Sequence, residues 1–129
     1  MGKNFRTIKA WQFADDLAAA VYEMTSSFPA DERYGLNSQM RRAAVSVAAN
    51  IAEGANRASH REYVQFLSIA KGSLAELEYY LHFSKRLNYC NGNTHQQLLA
   101  QHRHAARTLE GLIRSIRQRH ETLVVQKHE

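Results

Sequence analysis

The sequence predicts an all-α fold, an antiparallel up-down four-helix bundle. Two observations carry the prediction. Apolar residues recur at gaps of three and four through four long stretches, the repeat of a helix face turned to a core. Six glycines and one proline in 129 residues leave too few breaks for many short strands. A chain of this length forms one domain and buries a core without disulfides. The single cysteine, Cys90, has no internal partner and fits a reducing cytoplasm. We expect a core over about 5–118 and a C-terminal tail at 119–129.

The first helix is predicted over 7–26. Ala10, Ala14, Leu17, Val21 and Met24 repeat at alternating gaps of 4 and 3, with Trp11, Ala18 and Tyr22 alongside. Asp15, Asp16 and Glu23 lie off that face. Trp11 borders the apolar stripe, so it reads as a packing anchor rather than a base-stacking platform. Pro29 cannot continue a helix, and Asp31 with Glu32 opens a single short turn.

The second helix is predicted over 36–54. Leu36, Met40, Ala43, Val47, Ile51 and Gly54 share one face, at gaps of 4, 3, 4, 4 and 3. Ala44, Ala48, Ala49 and Ala52 cover much of the rest and let neighbours approach closely. Beside them runs a polar strip, Gln39, Arg42, Ser46, Asn50 and Glu53. Gly54 ends the helix.

The third helix, 60–88, opens on a capping box, Ser59 with Glu62. Tyr63, Leu67, Ala70, Leu74, Leu77 and Leu81 form one stripe. Phe66, Ile69, Ser73, Tyr80, Phe83 and Leu87 form a second. Together they exceed what one bundle covers, which predicts contact with another subunit. Asn91-Gly92 signals a turn, and the fourth helix is expected over 94–118. Its inner stripe is Leu98, His102, Ala105, Leu109, Leu112 and Ile116. Leu123, Val124 and Val125 either extend that helix or belong to a loose tail.

The chemistry the residues exclude is as informative. No apolar run is long enough to span a bilayer. The N-terminus lacks an apolar signal core, and Arg6 stands where myristoylation needs Ser or Thr. No nucleophile elbow or glycine-rich phosphate loop occurs, so we expect no enzyme and no cofactor. Seven histidines show no tight metal-ligand spacing; His102, on the inner face, reads as a hydrogen-bonded core histidine, and no metal is expected.

Two constellations remain. Arg42, Ser46, Asn50, Glu53 and Glu76 read as an interhelical polar network, with Arg42 paired to a carboxylate and Asn50 bonded to a backbone group. The other is basic surface, in a chain of net charge +5. Arg103, Arg107, Arg114 and Arg117 line one side of helix four with only Glu110 among them. Arg57 and Arg61 flank the start of helix three, and Lys85 and Arg86 its end. A single arginine keeps a protein soluble; a whole line of them suits phosphate contact.

RRAAVSVAANIAEG, together with Trp11, Phe28-Pro29, Tyr34-Gly35-Leu36 and the segment from Ile69 to Leu77, resembles the four-helix-bundle proteins encoded by intervening sequences in bacterial 23S ribosomal RNA genes. The resemblance runs from about Phe5 to Ile116. The same superfamily includes the accessory variability protein of diversity-generating retroelements. The resemblance implies a four-helix bundle and ring-shaped homopentamers. For the retroelement branch it also implies binding to nucleic acid and to a reverse transcriptase. The reading is thus a non-catalytic, oligomeric, cytoplasmic protein that binds RNA or DNA without sequence preference through basic helix faces. The rival is a structural adaptor that presents a ring surface to a protein partner such as a reverse transcriptase.

Overall fold

The computed structural model describes residues 4–128. Residues 1–3 of the segment read for a signal core and residue 129 of the proposed tail lie outside the described residues. Four helices make up the chain: α1 (Lys9–Thr25), α2 (Leu36–Ala55), α3 (His60–Arg86) and α4 (Gly92–His128). Short three-ten turns at Phe5–Thr7 and Ala30–Glu32 precede α1 and α2. No strand occurs among the described residues.

Each helix packs on the next, and α4 closes on α1. The cross-contacts run in opposite directions along each pair. Late in α1, Thr25 meets Asn37 and Arg41 near the start of α2. Met40, Ser46 and Gly54 of α2 meet Ser84, Ser73 and Tyr63 of α3 in that order. Leu74 and Lys71 of α3 meet His102 and Glu110 of α4. Phe13 of α1 stacks on His104 of α4, with ring centres 5.6 Å apart. The bundle is therefore up-down, with α1 and α3 on opposite corners.

Leu17, Val21, Met40, Val47, Ile51, Leu67, Leu77, Leu81, Leu109 and Ile116 fill the centre and are fully buried. The first helical stripes of α1, α2 and α3 form this core. The α2–α3 contact is the closest. A Cβ added at Gly54 would stand 2.9 Å from Phe66 Cβ and 3.3 Å from the Tyr63 carbonyl oxygen. Any side chain there pushes the two backbones apart.

The ends follow from capping. Ser59 accepts the Glu62 N–H at 3.1 Å, as the capping box predicts. Asn88, at φ 60°, closes α3 in the left-handed region. Its neighbour Tyr89 donates back to Ser84 O, and Asn88 N to Lys85 O, each at 2.9 Å. α3 therefore ends at Arg86, two residues before the expected end. α1 starts at Lys9 rather than residue 7, because Asn4 accepts from Arg6 N and holds Phe5–Thr7 in a separate turn.

Three expectations for the last helix need correction. Asn91 is a cap rather than half of a turn: its Oδ1 accepts from Thr94 N at 2.8 Å, and α4 begins at Gly92. The helix does not end at 118: of the two readings of the following segment, helix extension or loose tail, the structure takes the first, and α4 runs unbroken to His128. Neither glycine nor proline occurs after Gly111 to stop it. Leu123, Val124 and Val125 are exposed on this extension. Lastly, the inner stripe passes through buried Ile113, with Leu112 only partly buried. α1 begins one turn beyond Phe13, so the lower half of α4 has α3 but no α1 beside it. The buried face there turns toward α3.

Two histidines are buried, where the sequence pointed to one. His102 Nε2 lies 2.6 Å from Leu74 O. A carbonyl only accepts, so Nε2 carries the proton. His95, one face-repeat earlier, is 8% exposed and its Nε2 finds no hydrogen-bond partner in the protein. Burial lowers its pKa, and the positive Lys85 and His82 on α3 lower it further.

Two predictions follow from this core. Ile51→Asp places a charge at a fully buried site; urea denaturation should show a loss of at least ~4 kcal/mol or no folded baseline. His95 binds its proton more readily unfolded than folded, so its contribution to stability is complete above the ordinary histidine range and is lost as pH falls through its depressed folded value. The melting temperature should fall as pH drops below about 6.5, the ordinary histidine value. That fall should be shallower in His95→Gln, as scanning calorimetry across the range would show.

Candidate nucleic-acid interface

Arg103, Arg107, Arg114 and Arg117 are all exposed and project from one side of α4. The helical repeat aligns them because their spacing stays within one face over four turns. Glu110, the acid in their midst, reaches across to Lys71 of α3 at 2.6 Å. The Lys71 hydrogen bond holds the Glu110 carboxyl below its ordinary pKa, and the nearby Arg114 and Arg117 act in the same direction. The row thus lies on the flank of α4 that faces α3.

Arg61 joins it from α3. Arg61 and Arg117 line one concavity of about 430 Å³ with His60, His120 and one acid, Glu121. Arg119 lies in the adjoining groove, also beside His60. It faces the Tyr63 phenol, whose pKa burial raises and Arg119 partly lowers. The antiparallel pairing of α3 and α4 brings these groups together. Nothing in the linear order of the chain announces it, and Lys71, His60 and His120 were not among the expected groups.

The remaining basic positions are separate. Arg57 donates to Glu53 at 2.9 Å and lies 4.5 Å from the Phe66 ring centre, so its charge is partly answered. Lys85 and Arg86 are exposed at the other end of α3. At 1.5 Å per residue that end is roughly 40 Å from Arg61. Eight expected contact residues thus divide into a row with Arg61, a paired Arg57 and a distant Lys85-Arg86 pair.

The polar network expected around Arg42 also divides. Ser73 Oγ donates to Ser46 Oγ at 2.8 Å across the α2–α3 contact. Asn50 Nδ2 donates to the Ser46 carbonyl at 2.8 Å and to its hydroxyl at 3.0 Å, all from α2. Glu53 pairs with Arg57, and Glu76 accepts from Tyr80 at 3.1 Å. Arg42 is exposed; the ion pairs among the described residues are those of Glu53 and Glu110, and neither uses it. The interhelical arginine is Arg41 instead. It donates to Thr25 Oγ1 at 2.8 Å and to Tyr22 O at 3.2 Å. The pair is adjacent in sequence, and only the position of α1 decides which of the two meets it.

A groove of about 380 Å³ between α1 and the start of α4 is lined by Glu23, Tyr89, Cys90 and Gln97 among others. Burial pushes the Cys90 thiol above its ordinary pKa, against a smaller opposing effect of Lys85. That is the reverse of an activated thiolate. Among the described residues no three His, Cys, Asp or Glu side chains gather where they would hold a metal ion. No described helix is long and apolar enough to cross a membrane.

Comparison with known proteins places this architecture. No curated protein matches the chain. Among solved structures, the crystal structure of a protein with unknown function from the S23 ribosomal protein family of Bacteroides thetaiotaomicron superposes with a TM-score of 0.72. It is 20% identical, and the match covers 81% of this chain and 97% of that one. At that identity the likeness is one of fold. The 23S rRNA-intervening sequence protein family matches residues 6–111, nearly the span over which the helices pack, and the chain belongs to that family.

Proposed function

We propose that the protein is a non-catalytic, oligomeric, cytoplasmic bundle that binds RNA or DNA without sequence preference. The observation that carries the reading is the exposed arginine row of α4, whose one intervening acid is taken by Lys71. Arg61 and Arg119 extend the positive surface around the end of the bundle. Phosphates are the groups such a row fits, and no base-reading motif accompanies it.

Self-association is supported by the second stripe of α3. Ile69 and Leu87 of that stripe are exposed, and beside it the exposed Tyr79 stacks on Phe83 with ring centres 5.9 Å apart. An apolar strip of this kind on one helix suits contact between copies. Repetition of the α4 row around a ring, with the homopentamer that the family resemblance implies, would make a continuous positive belt. In the rival reading the assembled ring presents a surface to a protein partner such as a reverse transcriptase, and it needs no nucleic acid.

Light scattering should return a mass several times 14.7 kDa; a monomer at micromolar concentration removes the ring and its belt. Fluorescence anisotropy should show binding that is tight at low salt and weakens steeply as salt rises. The double variant Arg107→Glu, Arg114→Glu should lose at least about tenfold in affinity for RNA and DNA alike, because each lost contact forgoes counterion release. Helicity and oligomer mass should be unchanged. Wild-type affinity in that variant rules out the row; no binding by the wild type at low salt leaves the adaptor reading.

A further inference from the structure

A second basic surface lies on the opposite flank, where α1 hands over to α2. Tyr22, Arg33, Tyr34, Asn37, Arg41 and Arg42 line a hollow of about 400 Å³ there. α4 packs on α1 and α3, and its arginine row lies toward α3. The hollow is therefore independent of the row.

Its composition differs from the row in one respect: it holds aromatic rings. Tyr34 is 85% exposed, in the turn just before α2. A ring so far in the open contributes little to the core. The Arg33 guanidinium lies 5.5 Å from the Tyr34 ring centre, and the Arg41 guanidinium 4.5 Å from that of Tyr22. Arg41 is pinned further by its bonds to Thr25 and Tyr22. It fixes one wall. Arg33 and Arg42 are exposed.

No carboxylate lines the hollow. Glu32, the nearest acid in the turn, is committed elsewhere: it accepts from the Tyr89 hydroxyl at 2.8 Å and from Leu36 N at 3.2 Å. Three arginines and two tyrosines without an acid form a cationic, aromatic surface. A nucleic-acid duplex keeps its base faces inside its own stack. An unpaired strand presents them, and aromatic rings beside arginines are what such bases settle on. An acidic peptide would satisfy the arginines and leave Tyr34 without a role.

We propose that this hollow is a stacking site for single-stranded nucleic acid, with a base on Tyr34 and its flanking phosphates on Arg33 and Arg42. The proposal rests on the nucleic-acid reading only in the class of ligand; it assigns a different surface and a different selectivity.

The test compares a short oligo(dA) strand, a duplex and polyglutamate by anisotropy at one salt concentration. Tyr34→Ala should bind the single strand about tenfold more weakly, the loss of one stacked base, and the duplex as wild type does. Tyr34→Phe should bind the strand as wild type does, since it keeps the ring. Because Tyr34 is exposed, the melting temperature of both variants should match wild type. The proposal is overturned if Tyr34→Ala keeps its affinity for the strand, loses strand and duplex equally, or is matched by Tyr34→Phe. Polyglutamate that binds the wild type as tightly as the strand does, with Tyr34→Ala weakening neither, assigns the hollow to acidic protein instead. The two sites fail separately. A charge-reversed α4 row that binds as wild type, beside a Tyr34→Ala that loses the strand, sinks the row and keeps the hollow. The reverse pattern keeps the row. No binding of either nucleic acid by the wild type sinks both.

Discussion

The approach of α2 to α3 is the constraint on which the rest of the bundle depends. Small residues on α2 permit it, and Gly54 demands it, with room for no atom beyond its backbone. Ser46 and Ser73 then lie within hydrogen-bonding distance, and Met40 meets the Ser84 hydroxyl further along. A backbone contact this close sets both the register and the separation of the two helices. The neighbours α1 and α4 pack on the edges of that pair. Buried hydroxyls are satisfied locally: Ser84, in this contact, donates to Tyr80 O, and Thr25, between α1 and α2, donates to Val21 O while it accepts from Arg41.

The placement of charge follows from this geometry. With apolar stripes turned inward, the long basic side chains are left on the outer flanks. Acids among them are drawn into pairs, Glu53 by Arg57 and Glu110 by Lys71. Exposed pairs of this kind add little to stability. The consequence of the second pair is electrostatic: Lys71 takes up Glu110, the one acid within the α4 arginine row. The α4 arginines are thereby left exposed along one flank of the helix.

Much of the fold was legible because helical periodicity is a local property. Leu67, Leu74 and Leu81 on α3, or Ala10, Leu17 and Met24 on α1, are buried as their spacing requires. Helix ends were legible where a side chain caps them, as Ser59 does for α3. They were misread where the cap looked like a turn, as with Asn91-Gly92, or where no breaker existed to mark an end, as after residue 118. The candidate site was legible only in part. The α4 row is a periodic pattern and could be seen. The meeting of Arg61 with Arg117, and the exposed rings of Tyr22 and Tyr34 beside Arg33 and Arg41, depend on contacts between distant segments.

What the sequence determined alone is the helical class, the number of helices, the faces they bury and the side of α4 that carries arginine. Each of these rests on spacings within a single helix. The tertiary structure decided which of two adjacent arginines reaches another helix, that Ile113 and not Leu112 belongs to the core, and that His95 is buried beside Lys85 and His82. Those outcomes turn on the azimuth of a neighbouring helix and on where that neighbour stops. A helix repeats every 3.6 residues, so adjacent positions differ by about 100°. The chain's own pattern leaves the choice between them open until another helix occupies one side.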